Sequence, residues 1–173
     1  MDPSPLPTDL DWRADILTRV GARLLDGVIL AVPTVALLLA FGDLDLEAGR
    51  TATPVWVAAA TVVMAALYEI VLIAMSGQTI GKRVLGIQVV DVVTGRPPRL
   101  SGATLRYLVP GVPSLLPVPG APLLGLLVWL SATWSPTRQG WHDRAAGTVV
   151  VRTAARQAVT GGWAGVEPPQ ERR

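Results

Sequence analysis

The sequence predicts an α-helical integral membrane protein. It has two full transmembrane helices, a proline-broken apolar hairpin (a short third and fourth helix) and a small β element on the cytoplasmic side. Three observations lead there. Two apolar runs, residues 24–41 and 55–75, are long enough to cross a bilayer. Of fifteen Lys and Arg residues, Arg50 alone lies in the connecting loop, residues 42–54, beside Asp43, Asp45 and Glu47 in sequence. Basic residues stay on the cytoplasmic side, so both termini are expected there, in the inner membrane of a bacterium. Charged residues make up 16% of the chain and its mean hydropathy is +0.44, against about 25% charged in soluble domains.

Residues 1–12 are Pro- and Asp-rich and are expected to be disordered. Asp11 is a candidate cap for a helix that starts at Trp12 or Arg13 and runs into the first span. A cleaved signal peptide is the competing account of that span. The run is too long for one, contains Asp26 and Pro33, and ends in Leu39-Ala40-Phe41-Gly42, a poor cleavage site. Pro33 is expected to kink the helix. Pro54 suits the start of the second helix, with Trp56 at the outer interface.

After Ser76-Gly77 the pattern changes. Residues 84–93 (VLGIQVVDVV) read as a strand ended by the turn Thr94-Gly95-Arg96-Pro97-Pro98, and residues 147–152 (GTVVVR) as a second strand able to pair with it. Ser101 would cap an Arg-containing amphipathic helix. Residues 105–134 are apolar but broken by Pro110, Pro113, Pro117, Pro119 and Pro122. Two full spans need about 40 residues, more than this region holds, and a single span would place the Arg-rich tail outside. Two short helices meeting at Pro117-Val118-Pro119-Gly120 reconcile both constraints, with Trp129, Trp134 and Trp141 at the inner interface. Residues 13–152 form the membrane domain, and residues 153–173 a disordered tail. No internal repeat is visible.

Composition excludes several functions. Without Cys there are no disulfides or thiolate metal sites, and one His makes a His-based site implausible; neither metal nor cofactor is expected. The net charge of +2 with basic residues flanking apolar spans points to the lipid bilayer as partner and away from nucleic acid. Gly77, Thr79, Gly81 and Lys82 superficially resemble a phosphate loop. However, the glycine spacing is one residue short, and Arg83 stands where Ser or Thr would hold magnesium. These glycines instead suit a tight exit turn. His142-Asp143 lacks a nucleophile, so no enzyme is expected.

Ionisable residues inside the apolar runs carry the functional signal. Arg19, Arg23 and Asp26 fall within about 60° of each other on a helix, and Arg23 and Asp26 can pair at i,i+3. Glu69, near the inner end of the second span, lies at the depth of Asp26. The two acids could share a proton or small cation. Alternatively, Asp26 is tied structurally to Arg23, and Glu69 to Lys82 or Arg83.

The spacing Arg19-x-x-Ala22-x-x-x-Asp26, the stretch GQTIGKRVLGIQVVD at residues 77–91, Arg106, and RQGWHDRAAGTVVV at residues 138–151 together resemble the RDD family of bacterial membrane proteins. The family is named for one Arg and two Asp. The resemblance implies Arg19 and Asp26 for the first two and Asp143 for the third, with Asp91 the lesser candidate. It also implies transport of an unspecified ligand, with cation/proton exchange in some members. The proline-rich region looks more broken than in a typical member. The function expected is transport of a small ion or solute by a homo-oligomer. The alternative is a non-transporting scaffold, assembly or stress-response component whose strand edge docks a protein partner.

Overall fold

The computed structural model describes residues 12–45, 50–135 and 138–154. The expected N-terminal disorder (but for Trp12), the Asp11 cap, Glu47 and nearly all of the expected C-terminal tail lie outside the described residues. The first helix, α1 (Ile16–Phe41), is capped by Asp15, whose carboxylate accepts from the Thr18 backbone N–H at 3.2 Å. It therefore starts later than expected. It also continues past Pro33, which lies inside it. Strands β1 (Asp43–Asp45) and β2 (Arg50–Ala52) pair antiparallel in the connecting loop, an element the sequence did not announce. Helix α2 (Val55–Ser76) returns, ending at Gly77 with φ +71°. At about 1.5 Å per residue, α1 and α2 both exceed the roughly 30 Å hydrocarbon thickness. Both are long and apolar enough to span a membrane, and most of their side chains are left uncovered by the rest of the chain.

Next come a one-turn helix, α3 (Ile80–Val84), and strand β3 (Ile87–Asp91). The strand is shorter than the β-rich run because Thr79 caps α3 and Gly86, at φ +63°, turns the chain out of it. Helices α4 (Leu100–Ser114) and α5 (Ala121–Leu130) follow, with the N-cap of α4 at Arg99 rather than at Ser101. At roughly 22 and 15 Å, both are shorter than the roughly 30 Å hydrocarbon thickness. They pack against each other as a hairpin, and both contact the next helix, α6 (Trp141–Ala145). Gly125 allows the close approach: a Cβ there would collide with the Ser114 hydroxyl and lie 2.5 Å from the Pro110 carbonyl oxygen. Strand β4 (Thr148–Arg152) pairs antiparallel with β3, with Val89 opposite Val150.

The second half repeats the plan of the first, against the expectation of no repeat. Shifting Gly86 to Gly147, 61 positions on, superposes α3 on α6 and β3 on β4 by residue number. The details match bond by bond. Gln78 Nε2 donates to Ile87 O and Gln139 Nε2 to Thr148 O, each at 2.9 Å. Val92 N–H donates to Gly147 O at 3.0 Å, and Thr153 N–H to Gly86 O at 2.8 Å. Each one-turn helix follows a helical hairpin (α1–α2, then α4–α5) and packs on that hairpin's first member. The β3–β4 ladder joins the two units about a local two-fold through Val89 and Val150. Gln, Arg, Gly and two Val recur at the same offset, which is too sparse to stand out in sequence.

The sheet edges are occupied by the chain itself. Gly77 O accepts from Val89 N–H at 2.8 Å, Val150 O accepts from Ala14 N–H at 3.0 Å, and Arg13 bridges Val151. The strand edge expected to be open for docking is therefore covered at these positions. The principal core (Ala14, Ala22, Ile73, Ile87, Val89, Ala103, Val150) lies at this same end of the molecule.

Candidate functional site

Charges gather where the two units meet. Arg19, one turn into α1, lies 3.2 Å from the Asp143 carboxylate of α6, and its other nitrogens donate to Ala14 O and Val150 O. Arg106 of α4 pairs with the other Asp143 oxygen and donates to Thr148 Oγ1 at 3.2 Å. Asp143 is fully buried and also accepts from the Gly140 N–H at 3.2 Å. One carboxylate thus ties α1, α4 and α6 together. Two cations around it offset the desolvation that would otherwise expel a buried charge.

Asp26 forms a second knot. Its carboxylate accepts from Tyr68 Oη at 2.7 Å, Thr79 Oγ1 at 2.5 Å and the Gly81 N–H at 2.8 Å, with Lys82 Nζ at 3.8 Å. Gly81 is required at this contact, since a Cβ there would strike the Ala22 carbonyl and approach Asp26 Oδ1 to 2.9 Å. Gly77 is equally constrained: besides its positive φ, an added Cβ would meet the Val89 carbonyl and the Gln88 side chain. Burial pushes the Lys82 ammonium down to about 8.

Arg23 pairs with Glu69 across α1 and α2, not with Asp26 on its own helix. Glu69 accordingly takes Arg23 rather than Lys82 or Arg83 as its ion-pair partner, and Asp26 and Glu69 are held by separate sets of donors. Asp91 caps the turn at Thr94, accepting its N–H at 2.8 Å. Sequence reasoning missed Tyr68 and Thr148. Each lies within a stretch read only for its helix or strand character, with no charge to flag it.

The knots surround a small cavity of about 30 Å³ whose lining includes Arg19, Arg23, Glu69 and Lys82 from the first unit and Arg106 and His142 from the second. A space of about 10–15 Å³ already holds one water. His142 is held down at about 3, by burial first and then by Arg106, so its ring is neutral. Among the described residues no three His, Asp or Glu side chains converge as a metal site would require.

Comparison with curated proteins gives no match, and neither does comparison with solved structures. One family model does match, over residues 13–147, which takes in both helical hairpins and both charge knots. By that match the chain belongs to the RDD family of membrane proteins.

Proposed function

We propose that the chain moves a small ion or solute across the bacterial inner membrane, with both termini cytoplasmic and as a homo-oligomer. One observation carries the reading: the charged cavity lies at the seam between two units of like plan. Many transporters are built from internal repeats and bind their substrates at the repeat interface. Two spans and a short hairpin enclose no pathway by themselves. The apolar faces of α1 and α2, with Leu24, Val28, Val62 and Val63 exposed, are available to a second copy.

Asp26 is the moving part in this reading. It holds the α3 turn against α1 through three contacts and α2 through Tyr68, and releasing them would loosen one wall of the cavity. Cation/proton exchange then requires Asp26 or Glu69 to give up its present partners in the cycle. The test is proton flux in proteoliposomes under sodium and potassium gradients. Asp26→Asn is expected to insert normally and lose the gradient-dependent flux; flux equal to that of the intact protein would sink the reading.

A second reading is favoured by the pairing of all three carboxylates with internal cations, which suits structural ties in a non-transporting scaffold or assembly component. Its mark would be a protein partner that co-purifies at fixed stoichiometry while the intact protein shows no flux.

A further inference from the structure

Around the seam, the cations outnumber the carboxylates. Arg19, Arg23, Lys82 and Arg106 stand against Asp26, Glu69 and Asp143, each acid already engaged by one or two of these cations. Four less three leaves one positive charge, in a region of low dielectric where an uncompensated charge is costly. Three polar atoms here are buried without a hydrogen bond: Arg106 Nε, His142 Nδ1 and Asp143 Oδ1, the last held by its ion pair with Arg106. Arg106 and His142, 7% and 4% exposed, line the cavity. A buried guanidinium N–H without an acceptor costs about 1–3 kcal/mol or more, so something is expected to satisfy it.

We propose that the cavity between the two units binds one small monovalent anion of halide size, held by the Arg106 Nε–H and the surplus positive charge of the seam. An anion neutralises the excess charge and supplies the missing acceptor, whereas water supplies only the acceptor. A cation is disfavoured, since every carboxylate that could face it is already paired. The physiological role of this site rests on the transport reading, but binding can be measured without flux.

The experiment is chloride NMR line broadening on the purified full chain in lipid nanodiscs, at constant ionic strength with gluconate as the replacing anion. The intact protein is expected to broaden the chloride line saturably, with bromide displacing it. Arg106→Lys keeps a charge beside Asp143 and removes Nε; it is expected to weaken chloride about ten- to a hundredfold, the worth of one charge-assisted hydrogen bond. Ala132→Val intrudes on the cavity, which Ala132 lines, without altering any ion pair, and is expected to abolish saturation in a folded protein. It decides the matter if Arg106→Lys fails to fold. Absence of chloride-specific broadening in the intact protein overturns the proposal, as does unchanged affinity in folded variants. Chloride binding without flux supports the site and removes transport; sodium-dependent flux without chloride binding does the reverse.

Discussion

Asp143 pairs with two arginines at once, and its removal should be the most damaging single change at the charged end. Asp143→Asn leaves Arg19 and Arg106 buried without a counter-charge, and breaking a buried pair costs about 3–5 kcal/mol. Thermal unfolding in detergent is expected to fall sharply for Asp143→Asn. Arg152→Ala, which breaks an exposed pair with Asp15, should shift it little, since such pairs contribute about 0–1 kcal/mol. An equal effect of the two changes would refute this ranking. Much of this end was legible in the sequence, because Arg19, Asp26 and Glu69 are conspicuous within apolar helices. Their pairing was not. Helical spacing allowed Arg23 to meet Asp26, but α2 brings Glu69 to Arg23, while α3 wraps back to take Asp26. No one-dimensional spacing encodes a choice between two carboxylates on different helices.

At the scale of elements, the two long helices followed from hydropathy alone, and the helical hairpin from a length too short for two spans and an Arg-rich tail that disfavours one. Boundaries shifted where a local interaction intervened: Asp15 starts α1, and Thr79 with Gly86 carve a helical turn out of what read as a longer strand. The α4–α5 hairpin depends on Gly125, whose missing side chain lets the two helices touch. Gly125→Val should part them while sparing the β3–β4 ladder. In hydrogen–deuterium exchange the expected outcome is faster exchange across α4 and α5, with β3 and β4 still protected. Uniform loss of protection would mean that the hairpin is not a separable unit.

The whole molecule joins a membrane-length half to a short half through a two-stranded ladder, the packing of α2 on α4 and the Arg19–Asp143 pair. That plan escaped the sequence because the second hairpin is much shorter than the first, and only a few residues recur at the common offset. If α4 and α5 enter and return, both ends of the hairpin lie on the face that carries β3. The absence of native Cys makes this directly measurable. Val93→Cys and Trp134→Cys should react with an impermeant maleimide from one side of sealed vesicles, and Leu44→Cys from the other. Trp134 labelled from the same side as Leu44 would turn the hairpin into a crossing.

The contact between Arg19 and Asp143 also joins residues made far apart in time. The ribosome releases α1 long before α6 exists, so the first hairpin meets the insertion machinery with Arg19 uncompensated, while Arg23 already has Glu69. Membrane insertion and final folding are thereby separated into two events. The second cannot close until the closing segment, residues 138–152, has left the exit tunnel and laid β4 beside β3. A nascent chain stalled before that point carries Arg19 and Arg106 without their shared acid. Asp143 therefore reports that both units have been made and have met.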